Sequence, residues 1–345
     1  MRMRKFLVLV FFFLVEIANG QTGGNNAFAV LDLTFSARAA GLANDFISAK
    51  DHDISLGIAN PSLLNPKMHD RLAFNHAFLA GGVNYGMVAY GRECMGGVLS
   101  SSIRYINYGF FRRTGIDGTE QGSFSPFDCI LGAGYGRSLN PRISVGANLN
   151  VILSQMEVYN AFGASVDLAG TYTSENENLL VTALVKNAGF QFNNYYTKEK
   201  DPLPTEFQLA TSYKLNHAPF RFSLLAHHLN QWDLTYNDPN AQPTIDALTG
   251  DSIPVPRAGF MEKLARHFSY QAEIMAGKHV HLRLGFDYHR RQELKIDERP
   301  GVAGMTFGTG LYFKKFNIDY GYSIYTRAGG NHMLCFTTHL GSWKK

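Results

Sequence analysis

Alternation of apolar and polar residues constrains the fold of this chain more than any other feature of its sequence. Segment 280–288 has an apolar or aromatic residue at every even position and a polar or small one at every odd position, and 143–151 and 318–324 keep the same period. A period of two is that of a β-strand whose two faces meet different surroundings. A half-buried soluble sheet gives the same pattern. Its persistence along the chain, without a helical layer, favours a barrel between lipid and a polar lumen.

The composition also fits a membrane barrel. Charged residues make up 17% of the chain, aromatic residues 13%, and 34 of the 345 residues are glycine, with a mean hydropathy of −0.13. Beyond residue 20, no apolar run approaches the roughly twenty residues of a spanning helix. A secreted β-sandwich could share this profile, although it would not need so many strands of membrane length. A net charge of +4 without a basic block argues against nucleic acid as a partner.

Alternating segments predict an all-β fold, a 14-stranded antiparallel transmembrane β-barrel, and the even number agrees with bacterial single-chain barrels. The long connections at 108–126, 190–204, 236–266 and 291–302 all follow odd-numbered strands, whereas short turns such as 139–141, 216–218, 277–278 and 314–315 follow even-numbered ones. This asymmetry predicts short periplasmic turns and long external loops. The expected strands lie near 71–80, 82–91, 95–107, 127–138, 142–155, 158–173, 178–189, 205–215, 219–235, 267–276, 279–290, 303–313, 315–327 and 331–342.

Three regions are expected along the chain. Residues 1–20 are predicted to be a secretory signal peptide, because a basic start is followed by ten apolar residues at 6–15 and then by small residues at 18 and 20. Residues 21–70 are expected to form a plug, and 71–345 the barrel. The localisation that follows is the bacterial outer membrane, with membrane lipid around the barrel and the long loops at the cell surface.

The plug region does not repeat the alternating pattern. Ser36 before an Ala-rich run predicts a helix N-cap, and Asn44 predicts a left-handed residue where that helix ends. Asp51-His52-Asp53 could hold a cation, but Asx-turn chemistry explains it better. The alternation of Ile54, Leu56 and Ile58 predicts a short strand that Asn60-Pro61 terminates.

The same region resembles a known family. The Ser-Ala-Arg at 36–38, the acidic Asp-x-Asp at 51–53 and the Asn-Pro-Ser-Leu-Leu at 60–64 are similar to the N-terminal segment of the PorV/PorQ family, FadL-like outer-membrane barrels of the type IX secretion system in Bacteroidetes. Leu33-Thr34 and Ala43-Asn44 depart from that family's Leu-Pro and Gly-Gly. Further similar segments lie at 107–109, 186–189, 203–204, 217–220 and 231–234.

The resemblance implies a non-enzymatic component that anchors surface attachment-complex proteins. The partners it implies are PorZ, the PorU sortase and PorV. The alternative is a FadL-like channel in which the plug gates the passage of a hydrophobic small molecule. Both interpretations share one fold, and a fold does not decide function. The polar inward faces favour the first interpretation, because a transporter should present an apolar groove.

Motifs that could carry chemistry are weak. Cys94, Cys129 and Cys335 are too far apart in sequence to suggest a disulfide framework or a metal-binding motif. Glycines at 132–136 lack nucleotide-loop spacing and are expected to face the lumen and make room there. His227-His228 could bind a metal, but adjacent residues of a strand point to opposite faces, and His279 with His281 has no acidic partner at a recognisable spacing. We therefore expect no catalytic, cofactor or metal site.

Partner-binding residues are expected in two of the long loops. Aromatic and arginine side chains dominate the energetics of protein interfaces, and segment 260–268 has the spacing of a short amphipathic helix. The alternative is that these side chains pack on the barrel rim and only shape the loops. The candidates are Phe110, Phe111, Arg112 and Arg113 in the first loop, and Phe260, Leu264 and Phe268 in the second.

Overall fold

The structure, a computed structural model, describes residues 26–195, 201–236, 242–245, 252–255, 257–295, 301–326 and 329–343. The expected signal peptide at 1–20 and residues 21–25 of the expected plug lie outside these ranges. Within them, no helix is both long enough and apolar enough to cross a membrane.

Fourteen strands of the described chain form a closed antiparallel barrel, as the sequence predicts. Strand β1 closes it by pairing with both β2 and the last strand, β18. Strands β4–β5 and β12–β13 form two separate hairpins. In chain order the strands are β1 Arg71–Phe78, β2 Asn84–Cys94, β3 Gly97–Asn107, β4 Phe111–Thr114, β5 Glu120–Phe124, β6 Phe127–Ser138, β7 Ile143–Met156, β8 Tyr159–Thr173, β9 Leu179–Asn193, β10 Glu206–Lys214, β11 Phe220–Ala226, β12 Thr244–Ile245, β13 Ser252–Ile253, β14 Phe268–Ala276, β15 Val280–Asp287, β16 Met305–Tyr312, β17 Phe316–Thr326 and β18 Gly329–His339.

Most barrel strands have an apolar outer face and a largely small or polar inner face, although β2 turns Tyr85 and Met87 inward. In β15, Leu284 is 45% exposed on the outside, whereas Arg283 and Asp287 are buried inside. Side chains alternate in this way because successive residues of a strand point to opposite faces. The expected register is confirmed.

The two ends of the barrel differ in their connections. The connections that follow β3, β9, β11 and β15 all leave the barrel at one end, called here the long-loop end. Connections at 95–96, 139–142, 215–219, 277–279 and 313–315 lie at the opposite, short-turn end. The long connections therefore share one end, as predicted, although the short connections at 79–83 and 157–158 lie at that end too.

Residues 29–68 fold inside the barrel as a plug. It contains helices α1 (Ala37–Ala40) and α2 (Ile54–Ala59), with 3-10 turns at Ala29–Asp32, Pro61–Leu63 and Pro66–Met68. Ser36 caps α1 as predicted, since its hydroxyl accepts a hydrogen bond from the Ala39 backbone N–H at 3.3 Å. Asn44 has the predicted left-handed conformation, with φ of 65°.

The strand expected at Ile54–Ile58 is wrong, because this segment is helix α2. The Asp51 carboxylate accepts a hydrogen bond from the Asp53 N–H at 3.0 Å, which is the predicted Asx turn. The Asp53 carboxylate then accepts from the Ser55 N–H at 3.0 Å and caps α2. A helix surrounded by a barrel can be apolar on all sides, so the alternation of isoleucine and leucine did not indicate a strand here.

The plug backbone lies directly against the inner wall. A Cβ atom at Gly41 would stand 2.8 Å from the Cα of Gly308, and one at Gly285 would collide with the Ala43 backbone nitrogen. In the predicted inward-facing glycine run, a Cβ atom at Gly136 would collide with the Pro61 carbonyl. Glycine is needed where two backbones approach this closely. The lumen at these positions is therefore packed with protein.

Several predicted boundaries were wrong around the long-loop end. The strand expected at 219–235 ends at Ala226, and the one expected at 279–290 ends at Asp287, where helix α4 (Tyr288–Leu294) begins. The helix expected at 260–268 is α3 (Phe260–Ala265). Strand β9 extends beyond 189 to Asn193. It contains an irregularity at Asn187, whose φ is 58° and whose N–H donates to Asp167 at 2.8 Å.

Candidate functional site

A cavity of about 460 Å³ lies inside the barrel on the long-loop side of the plug. Its wall comes from strand ends that face the long-loop end, among them the start of β10 and the ends of β11 and β15, while plug residues form its floor. Small-molecule sites in proteins have volumes of about 300–1,000 Å³. The cavity is therefore large enough for one small organic molecule.

Part of the cavity lining is apolar. Phe35, Phe46 and Ile58 contribute from the plug, and Met87 and Leu225 from the barrel wall. All five side chains are buried. This surface can accept the apolar part of a ligand, since burying hydrocarbon contributes about 25 cal/mol per Å². Reading the inward faces as uniformly polar missed this surface, because half of it comes from the plug.

Another part of the lining is charged. Asp32 and Asp45 of the plug face Lys186 and Glu206 of the wall. Burial raises the pKa of Asp32 to about 6, although Lys186 opposes the shift. Burial likewise raises the pKa of Asp45, whose carboxylate accepts a hydrogen bond from Gln208 at 2.6 Å. This side of the cavity can recognise the polar end of a ligand by hydrogen bonds or charge.

A cluster of histidines adjoins the charged side. The Nδ1 atoms of His227 and His228 are 2.7 Å apart, and the Nδ1 of His228 is 3.3 Å from Oε1 of Glu206. His289 of α4 faces both rings, with centroid distances of 6.2 and 6.1 Å. The argument that adjacent histidines must diverge does not apply, because β11 ends at Ala226 and His228 has a left-handed φ of 54°. His279 and His281 lie near the short-turn end, away from this cluster, and His279 bonds to the Tyr312 carbonyl at 2.8 Å.

A buried ionic network fixes the plug to the wall. Nε and Nη2 of Arg38 each donate to one carboxylate oxygen of Glu273 at 2.9 Å, and Nη1 lies 2.7 Å from Asp51. Glu273 also pairs with Arg221 at 2.6 Å and Arg283 at 3.1 Å. Paired arginine–carboxylate contacts of this kind are strong and geometrically specific. Sequence reasoning missed the network, although a glutamate at an inward position of a strand is a signal for a buried partner.

The first set of expected partner-binding residues lies on a projecting hairpin. Phe110 is 88% exposed, and Phe111 stacks on Phe124 with ring centroids 5.7 Å apart. Arg112 pairs with Glu120 at 2.6 Å, and Arg113 pairs with Glu157 at 2.6 Å. The two arginines therefore stabilise the hairpin and its base, while Phe110 is left exposed.

The second expected set is not on one helix face. Helix α3 ends at Ala265, so Phe268 is the first residue of β14 and pairs with Ala226 of β11. Phe260 is 65% exposed, and its ring lies 5.2 Å from Trp232, whereas Leu264 is half-buried. The helix stops because the chain must turn into the barrel at this point. Only Phe260 and Leu264 belong to the same element.

The cysteines form no site. Cys94 is exposed, Cys129 is half-buried and Cys335 is buried, and all three are free thiols. They lie on β2, β6 and β18 respectively. This agrees with the expectation that their spacing indicates no disulfide framework.

The fold is similar to that of solved outer-membrane channels. A deltaS2S3 mutant of the TodX monoaromatic hydrocarbon channel has a TM-score of 0.54 at 11% identity, covering 90% of this chain and 100% of that chain. The Pseudomonas putida toluene transporter TodX has a TM-score of 0.52 at 10% identity, covering 89% and 97%. No protein-family profile and no curated protein matches the sequence. The chain thus has a FadL-like outer-membrane barrel fold, and none of these findings supports the narrower resemblance to PorV/PorQ proteins.

Proposed function

We propose that the protein is a channel that binds a small molecule with an apolar body and a polar end on its way across the outer membrane. The observation that carries the proposal is the lumenal cavity, whose lining combines buried apolar side chains with charged ones. Solved barrels of the same fold include a toluene transporter and a monoaromatic hydrocarbon channel. This function replaces surface anchoring as the better-supported interpretation.

The ligand class follows from the lining. A pure hydrocarbon would leave Asp32, Asp45, Lys186 and Glu206 without new partners while removing water from around them, which is costly for buried polar groups. A solute carrying a hydroxyl or an amine can replace that water and still bury its ring against Phe46 and Leu225. We therefore expect benzyl alcohol or benzylamine to bind more tightly than toluene.

Cavity filling tests this function. Ala59 lines the cavity at the end of α2, and Ala59→Phe would occupy part of its volume. The matched control is Leu282→Phe, which adds an aromatic ring on the outer face of β15, where Leu282 is 46% exposed. Binding of the three solutes to purified protein, and their uptake by cells that express it, should fall at least several-fold only in Ala59→Phe. Equal binding and uptake in both variants would contradict the proposal.

A second candidate function is docking of a surface protein, and the exposed hairpin β4–β5 favours it. Phe110 and Ile116 expose apolar side chains there, and the long-loop end is the one expected to face outward. The partners implied by the family resemblance, PorZ, PorU and PorV, belong to this candidate only. Replacing Phe110 and Phe111 with Ala should release such a partner from cells while the barrel stays in the membrane. If the partner is retained and solute uptake depends on Ala59, the channel function stands alone.

A further inference from the structure

We propose that Glu206, His227 and His228 bind a divalent transition-metal ion of the zinc class at the edge of the lumenal cavity. Within the described residues, one potential ligand atom from each lies within 4.8 Å of the other two. An ion with bonds of 2.0–2.2 Å to tetrahedral ligands holds those ligands about 3.4 Å apart. The observed distance of 3.3 Å between His228 and Glu206 meets this requirement, and the 2.7 Å between the histidines requires a small opening of the pair.

The residue types match this class of metal. Two imidazoles and one carboxylate suit zinc and its first-row neighbours, whereas calcium and magnesium prefer oxygen ligands alone. Imidazole must be neutral to donate its lone pair. The 2.7 Å contact between the Nδ1 atoms of the two histidines requires one of them to accept a hydrogen bond, so at least one of these nitrogens has a lone pair to offer.

Hydrogen bonding within the protein leaves the cluster unsatisfied. Nε2 of His227 and Nδ1 of His289 are buried and have no hydrogen-bond partner among the described residues. If Nδ1 of His227 donates to His228, its Nε2 is an acceptor without a donor. If it accepts instead, its Nε2 carries a proton and the nearest carboxylate oxygen, on Asp287, is 3.9 Å away. An ion bound at Nδ1 of His227 would fix the proton on Nε2, on the side of Asp287, and would offer the unpartnered Nδ1 of His289 a ligand position.

The surroundings would orient the ligands. The backbone N–H of His228 donates to Oε1 of Glu206 at 3.1 Å, which fixes that carboxylate beside the ring. A ring nitrogen of His267 lies 2.9 Å from the His227 carbonyl oxygen and holds this part of the backbone in place. Such outer contacts commonly orient metal ligands and strengthen binding. His289 faces the pair and is positioned to supply a fourth ligand after rotation of its ring.

Metal titration tests the proposal independently of channel function. Purified full-length protein without a polyhistidine tag would be stripped with a chelator and titrated with Zn²⁺ by calorimetry. His228→Ala and Glu206→Gln should each weaken binding by roughly tenfold or more, because loss of even an outer contact costs 10- to 100-fold in metal affinity. The matched control is His217→Ala, which removes an exposed histidine from a short turn. Heat-modifiable migration in gels would show that each variant is folded.

Cobalt substitution gives a second readout. Co²⁺ bound by two imidazoles and a carboxylate should show the intense visible absorption of a four-coordinate site, and that band should disappear in His228→Ala and persist in His217→Ala. Absence of saturable Zn²⁺ binding, or equal affinity in all the folded variants, would overturn the proposal. If the protein binds Zn²⁺ but takes up no solute, the channel function is refuted and the metal site is not.

Discussion

The two halves of the lumen are built from the same strands but have opposite characters. Toward the short-turn end, the plug backbone lies against the wall, as at Gly136 and Pro61, and Arg38 pairs with Glu273 through two hydrogen bonds. Toward the long-loop end, a cavity separates them, and His227 and His289 have ring nitrogens without hydrogen-bond partners among the described residues. The comparison teaches that one barrel wall serves two purposes. In one half it holds the plug through close packing and the pairing of Arg38 with Glu273, and in the other it leaves a cavity that is available to a ligand.

The largest predicted effect is on the stability of the plug and comes from removing Arg38 from the ionic network. Arg38→Met removes the cation that pairs with buried Glu273 and with half-buried Asp51 and Asp53, and removing one partner of a buried ion pair typically costs about 3–5 kcal/mol. We expect the plug to loosen, which protease cleavage within 37–68 and higher conductance in planar bilayers would report. The control is Arg112→Met, because its pair with Glu120 is exposed and such pairs contribute about 0–1 kcal/mol. Equal protease resistance in both variants would contradict the role of the network.

The next effect tests the close approach of plug and wall. Gly285→Ala would place a Cβ atom against the Ala43 nitrogen, and overpacking of this kind costs about 1–3 kcal/mol. Gly170 is the control, because a Cβ atom there would meet nothing within 4 Å. Thermal unfolding in detergent should show a lower melting temperature for Gly285→Ala and no change for Gly170→Ala. If Gly285→Ala melts like the unaltered protein, the plug does not rest on the wall at this point.

A smaller effect is the pH dependence of folding stability, to which Asp51 and Asp53 contribute with opposite signs. Burial raises the pKa of Asp53 to about 6. At Asp51, burial also acts to raise the pKa, but Arg38, His52 and Arg221 together outweigh it and lower the pKa to about 2. The unfolded pKa of aspartate is about 3.9. Asp53 therefore lowers stability above pH 6, and this cost disappears as the pH falls toward 4. Asp51 contributes stability above pH 4 that is lost as the pH falls toward 2.

These opposite contributions predict how Asp53→Asn and Asp51→Asn change the melting temperature at different pH values. At pH 8, Asp53→Asn should raise the melting temperature, since asparagine caps a helix as well as aspartate does, by an amount equivalent to roughly 2 kcal/mol. Asp51→Asn should lower it. At pH 5 the gain from Asp53→Asn should shrink, while the loss from Asp51→Asn should persist. A pH-independent difference between the variants would mean that the two carboxyl groups are equivalent.

The smallest effect is expected outside both halves of the lumen. Phe111→Ala removes the stack on Phe124 in the projecting hairpin, and the barrel strands do not depend on that contact. Global stability should change by less than about 0.5 kcal/mol, as for most surface substitutions. Melting temperature is the measurement, with Phe307→Ala on the outer face of β16 as the comparison. A large loss from Phe111→Ala would show that the hairpin supports the barrel itself.

Sequence reasoning could predict the barrel because its determinants are local. Alternation in segments such as 143–151 and 318–324 determines which side chains face outward. The lengths of the connections indicate which of the long loops share one end of the barrel. The position of the plug in the chain could be predicted, but its secondary structure could not. Ile54, Leu56 and Ile58 have a strand-like spacing, yet the barrel surrounds them, so every side of a helix can be apolar there.

The candidate site depends on contacts that sequence spacing does not encode. Arg38 and Glu273 are 235 residues apart, and Glu206 reaches the histidines only because β11 stops at Ala226. The left-handed turn at His228 brings the two adjacent rings together. No regular strand periodicity anticipates that geometry. The cavity was missed for a related reason, since plug and wall each supply only part of its lining.

The position of the plug at the start of the chain has a consequence for folding kinetics. Its partners include Glu273 and Ser323, which are among the last quarter of the residues to be synthesised, and β1 cannot close the sheet until β18 is present. Contacts that span most of a sequence form slowly, because the entropy of loop closure must be overcome first. The plug residues precede the barrel strands in the sequence, yet they complete their contacts last. In a refolding experiment, burial of the plug should coincide with or follow closure of the sheet, and protection of the plug before closure would rule out this order.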